Sequence, residues 1–177
     1  GNNGIKAFIF DMDGLLFDSE RIVQRSWKMA GDELGILHMG DVIYHTLGMN
    51  RTGRNEYFRK YIREDFPFEE FGRLTRDNFW KIVDKEGLPL KKGAKELLAY
   101  GKSQGYKMAV ATSSSREYAM GNLIRAGIDS YFDSVVCGDM VKKAKPDPEI
   151  YQKACESLGI QPEYCMAFED APGGILS

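Results

Sequence analysis

IKAFIFDMDG, residues 5–14, decides the fold. Its apolar part, residues 5–10, is short and stops abruptly at Asp11-Met12-Asp13-Gly14, the pattern of a buried strand emptying into an acidic loop. Downstream, Ser19 and Glu20 form a cap signal, and Ile22, Val23, Trp27, Ala30 and Leu34 recur at helical spacing until Gly35. Helical periodicity then continues without a strand signal. It runs through residues 42–47 behind the cap candidate Asp41, through Tyr57, Phe58, Tyr61 and Ile62, and through Phe71, Leu74, Phe79, Ile82 and Val83 to Gly87. After Leu88-Pro89-Leu90 the pattern changes to helix 93–103, strand 106–111, helix 116–126, strand 132–137, helix 148–158 and strand 164–168. Alternation of this kind predicts a parallel sheet with right-handed crossovers. The expected fold is α/β: a Rossmann-like core from residues 5–17 and 87–177, with an all-helical domain, residues 18–86, inserted after the first strand.

Composition narrows the function. The 177 residues carry 24 basic and 26 acidic side chains, a net charge of −2, so bulk electrostatics gives no case for nucleic acid or an anionic membrane as partner. No apolar run approaches the roughly 18 residues of a membrane span, and the N-terminus has no basic region followed by an apolar stretch. We expect a soluble, cytoplasmic monomer. Cys137, Cys155 and Cys165 fit neither a disulfide framework nor a CxxC motif and read as reduced, buried thiols. The opening GNNG, residues 1–4, is left out of the fold.

In an open parallel sheet, functional loops gather at the carboxyl ends of the strands. Behind the first strand stand Asp11 and Asp13; behind the second Thr112, Ser113 and Ser114; behind the third Gly138 and Asp139, with Lys145-Pro146 following; behind the fourth Glu169 and Asp170. Carboxylates clustered at one edge repel one another unless a cation neutralises them. Oxygen donors without a His or Cys arrangement point to magnesium, which is commonly held by one or two carboxylates plus a substrate phosphate. Thr112 and Lys145 add a hydrogen-bond donor and a positive charge for that phosphate. The chemistry suggested is phosphoryl transfer.

Four segments, DMDGLLFDSE (11–20), AVATSSSRE (109–117), KPDPEIY (145–151) and FEDAPGG (168–174), resemble the four ordered motifs of the haloacid dehalogenase superfamily. The resemblance is greatest to its sugar-phosphate and nucleotide-phosphate phosphatases and its β-phosphoglucomutase group, which implies a small phosphorylated metabolite, a sugar or nucleotide phosphate, as substrate. It implies that Asp11 is the nucleophile that forms an aspartyl phosphate and that Asp13 is the acid and base. It implies magnesium ligation by Asp11, Asp170, the Asp13 backbone carbonyl and, through water, Glu169. Thr112, with Ser113 beside it, and Lys145 would hold the phosphoryl group. Gly14 would let the loop turn tightly. Residues 18–86 would be a small helical cap, in which Gly48 and Arg51 resemble a substrate-holding segment.

Two departures bear on the activity. The β-phosphoglucomutases have a histidine at the place of Val23, and valine cannot shuttle a proton, which favours hydrolysis over the mutase alternative. Relatives also continue through another helix and strand beyond Ser177, so the last part of the core is expected to be missing from this chain. Dehalogenation is excluded by Asp13, which those members lack.

Blander readings stand beside these. Asp11 and Asp13 could merely cap a helix, and Lys145 alone reads as a solvated lysine until its place in KPDP is weighed. Arg51 reads almost equally well as a solvated helix residue. Ser114 and Ser115 are expected to cap a helix. His38 and His45 lack partners at metal-ligand spacing, and Tyr57, Phe58, Tyr61, Phe71, Phe79 and Trp80 read as core of the helical domain. A phospho-receiver module fails on order, because its acceptor aspartate lies on the middle strand and no helical insert follows the first. A non-catalytic binding protein is disfavoured by the intact set of acids, threonine and lysine.

Overall fold

The computed structural model describes residues 4–47, 49, 51–143 and 145–169. Their elements are, in order, β1 (Ala7–Phe10), α1 (Ser19–Glu33), α2 (Met39–Val42), α3 (Arg51–Tyr61), α4 (Phe68–Glu86), α5 (Ala94–Ser103), β2 (Lys107–Ala111), α6 (Arg116–Arg125), β3 (Ser134–Val136), α7 (Glu149–Leu158) and β4 (Cys165–Phe168). The chain forms two compact units that divide after Asp18 and after Gly87.

The first unit is a four-stranded sheet in the order β3-β2-β1-β4, parallel throughout. It is the expected α/β fold. Every residue of β1 is buried, which is why the strand reads as a continuous apolar run and not as an alternation. Successive side chains still go to opposite faces. Ala7 and Ile9 join Ala109, Ala111 and Val136 beneath Ile150, Ala154 and Cys155 of α7. Phe8 and Phe10 go the other way, into a ring cluster with Tyr106, Phe132 and Phe168. The register pairs Phe10 with both Val110 and Phe168, and Ala111 with Val136. The residues that follow β1, β2 and β4 therefore emerge side by side.

The second unit is helical. On α1, Ile22, Val23, Ser26, Trp27, Ala30 and Gly31 are buried at the spacing of a single helix face, and α1 packs on α2 and α4. Trp27 meets Phe58 and Phe71 edge-on, and Phe66 closes the same cluster. Phe58, Phe71 and Phe79 are core as expected, but Tyr61 and Trp80 are exposed by 62% and 46%. Phe66 takes a place in the core that periodicity did not assign, because it lies between α3 and α4. Asp41 does not cap a helix: it lies inside α2, whose N-terminal flank is His38 in the left-handed region. Among the described residues, no helix is long and apolar enough to cross a membrane. The three cysteines are free and buried, and burial pushes the Cys165 thiol up to about 12.

Candidate active site

Asp11 is fixed by the sheet itself: its N–H donates to the Phe168 carbonyl at 2.9 Å, extending the β1–β4 ladder by one residue. Its side-chain Oδ1 accepts the Met12 N–H at 2.9 Å and the Lys145 ammonium at 2.9 Å. Lys145 also donates to the Ala111 carbonyl at 3.0 Å, at the end of β2. Among the described residues, nothing donates to the second oxygen of Asp11. Behind it the chain turns at once: the Met12 carbonyl accepts from Leu16 at 2.9 Å, and Gly14, at φ 83°, donates to the Phe17 carbonyl at 3.0 Å. A positive φ is the conformation for which glycine carries no side-chain penalty.

Asp13 sits in different surroundings. Its Oδ2 accepts the Ser114 hydroxyl at 3.2 Å, and its Oδ1 is buried. Burial holds the carboxyl above the usual carboxylate range and the charge of Asp11 adds to this, while Ser114, Tyr118 and Lys145 pull the other way. The hydroxyl of Tyr118 is buried against the same carboxyl, and burial together with the Asp13 charge raises it in turn.

The loop after β2 supplies the rest. Thr112 continues the ladder through its N–H to the Val136 carbonyl at 3.0 Å, and its Oγ1 accepts the Ser114 N–H at 3.1 Å. Ser115 caps α6, accepting the Tyr118 N–H at 3.3 Å. Ser114, expected to be a cap as well, instead turns its hydroxyl to Asp13. Which of two adjacent serines caps a helix depends on where the backbone leaves the strand, and that is not written in composition. Asp139 accepts the Arg116 N–H at 3.2 Å and so serves the first turn of α6.

Gly138 lets two loops meet. Its N–H donates to the Ser114 carbonyl at 2.8 Å, and a Cβ there would lie 2.1 Å from the Ser113 carbonyl oxygen. Gly138→Ala must push the β2 loop aside and is expected to cost about 1–3 kcal/mol in chemical denaturation, the range for an overfilled site.

The structure thus brings Asp11, Asp13, Thr112, Ser114 and Lys145 together, with Ser113 in the same loop. Sequence reasoning missed Ser114 and Tyr118 as neighbours of Asp13; the only signal for Tyr118 was its place in the first turn of a helix at the carboxyl edge. Glu169 follows β4 and is exposed, and Asp170 lies outside the described residues. Among the described residues no group of three His, Cys, Asp or Glu side chains is gathered closely enough to hold a metal. The donor set nevertheless suits a hard cation. It offers carboxylate oxygens, among which Asp11 Oδ2 has no donor among the described residues, and the charge of Asp11 raises the Asp13 carboxyl while Lys145 lowers it.

Arg51 belongs to the helical unit, and Gly48 lies outside the described residues. Arg51 lines a hollow of about 710 Å³ with Val23, Trp27, Arg54, Arg73 and Arg76. The Arg54 guanidinium lies over the Trp27 ring at 5.8 Å. His38 and His45 are exposed.

A family model described as haloacid dehalogenase-like hydrolase matches residues 5–177. The phosphorylated carbohydrates phosphatase of Thermotoga maritima is 32% identical over 171 residues, covering 97% of this chain and 79% of that protein. Hexitol phosphatase A of Escherichia coli is 31% identical over 172 residues, covering 97% and 77%. A solved Thermotoga maritima structure assigned as a β-phosphoglucomutase is 30% identical, with a TM-score of 0.73 over 94% of this chain and 77% of that one.

Proposed function

The chain belongs to the haloacid dehalogenase-like hydrolases, and from that membership we propose a magnesium-dependent phosphatase that hydrolyses a small phosphorylated sugar through an aspartyl phosphate on Asp11. One observation carries the reading. Two carboxyl groups two positions apart stand in opposite surroundings, Asp11 paired with the Lys145 ammonium and Asp13 buried and raised. A carboxyl raised by burial, two positions from one held by an ammonium, suits different roles for the two.

In the first step the Asp11 carboxylate bonds to phosphorus, the bond from phosphorus to the sugar oxygen breaks, and Asp13 gives that oxygen its proton. In the second, water attacks the same phosphorus and passes a proton to Asp13, and the bond to Asp11 breaks. Phosphate leaves, and both aspartates return to their starting states. Lys145 and Thr112 hold the phosphoryl oxygens, with Ser113 beside them. Asp11, Asp170, the Asp13 backbone carbonyl and Glu169 would hold a magnesium ion, which would supply neutralisation of the phosphoryl charge. Residues 18–86 act as the cap, and Arg51 contacts substrate from it. The sugar class is supported by the names of two relatives, one a phosphatase of phosphorylated carbohydrates and one of hexitols.

The neighbour assigned as a β-phosphoglucomutase supports a second reading, transfer within a sugar phosphate. Val23 weighs against it: buried at 2% exposure, its side chain offers no group that could move a proton. One assay addresses both. With β-glucose 1-phosphate, a bisphosphate primer and magnesium, free phosphate should appear, and excess chelator should stop it. Glucose 6-phosphate formed without free phosphate would establish the mutase, and turnover that survives chelation would refute the metal.

A further inference from the structure

Resting on the reading of Asp13 as acid and base, we infer that its outer oxygen, Oδ2, is the atom that moves the proton, and that Ser114 and Tyr118 are positioning residues that fix this choice. Of the two carboxyl oxygens, Oδ1 has no exposed surface, so neither a leaving group nor a water can reach it. Oδ2 remains. It accepts the Ser114 hydroxyl at 3.2 Å, and a carboxyl oxygen has more than one direction in which it can take a proton or a hydrogen bond. The Ser114 contact therefore sets the torsion of the carboxyl without consuming the position the reaction needs.

Ser114 is itself held at two other points. Its N–H donates to the Thr112 hydroxyl and its carbonyl accepts the Gly138 N–H, so its hydroxyl is delivered by backbone that is hydrogen-bonded on both sides. Tyr118 is delivered separately, through the Ser115 cap on α6. Its hydroxyl is buried beside the Asp13 carboxyl and interacts with it. Two anchors on different elements thus hold one carboxyl in one orientation. Proton transfer tolerates little error in that orientation, since displacement by about 1 Å can cost on the order of 100-fold.

The test compares substrates that need the proton with substrates that do not. For Ser114→Ala, kcat on a hexose phosphate, a poor leaving group, should fall about 10- to 100-fold with little change in KM. The nitrophenolate burst from 4-nitrophenyl phosphate should hold near its original rate. Ser114→Thr, which keeps the hydroxyl, should recover most of the loss. Tyr118→Phe, which keeps the ring but not the hydroxyl, should lose in the same selective way. Equal losses on both substrates, a loss confined to KM, or no loss in either variant would overturn the inference. Asp13→Asn is the reference. If it too lacks leaving-group selectivity, the assignment of Asp13 as acid falls; if it is selective while Ser114→Ala is not, only the positioning role falls.

Discussion

Asp11→Asn should abolish phosphate release and leave no phosphoenzyme on rapid-quench labelling with any substrate, good leaving group or poor. The amide is a weak nucleophile, so the covalent step is lost outright and not merely slowed. An amide oxygen is also a poorer ligand for a hard cation than a carboxylate, so the same change weakens the metal site. The fold should survive. Asn can still accept the Met12 N–H and the Lys145 ammonium at the oxygen that now accepts both, and Lys145 keeps its bond to the Ala111 carbonyl. Circular dichroism and the thermal transition should therefore stay close to wild type, which makes the loss a chemical one. Phosphoenzyme appearing in Asp11→Asn would show that another residue is the nucleophile.

Why the residues of the candidate site could be placed at one edge from sequence follows from how the sheet is built. A strand buried on both faces leaves an uninterrupted apolar run, and parallel register places the residue after each run at the same edge. Asp11, Thr112 and Glu169 are consequences of those two facts, since Phe10 pairs with Val110 and Phe168. The helical unit was less legible. Its long helices follow from periodicity, but α2 has only four residues and starts from a left-handed His38, and neither feature leaves a periodic trace. Phe66 joins the core from a connection between helices, while Tyr61 and Trp80 fit a helical stripe and are exposed. Ser114 and Tyr118 mark the other limit. Both were visible as residue types near the edge, but their contact with Asp13 depends on the path of the β2 loop, which Gly138 admits by having no side chain.

Asp13→Asn separates the second aspartate from the first. The substitution keeps the backbone carbonyl proposed as a metal ligand, and an amide of the same shape can still accept the Ser114 hydroxyl. The carboxyl it replaces is held above its usual range chiefly by burial, so removing its charge lifts a desolvation cost, and the thermal transition should not fall. Activity should. On a hexose phosphate the loss is expected at about 10²- to 10⁴-fold, the span typical of general acid catalysis. With 4-nitrophenyl phosphate or acetyl phosphate, whose leaving groups depart without a proton, the first step should continue and the aspartyl phosphate should accumulate, because water then lacks its base. Rapid-quench labelling should thus find phosphoenzyme in Asp13→Asn and none in Asp11→Asn. Equal losses on good and poor leaving groups, with no accumulation, would mean that Asp13 does not carry the proton in either step.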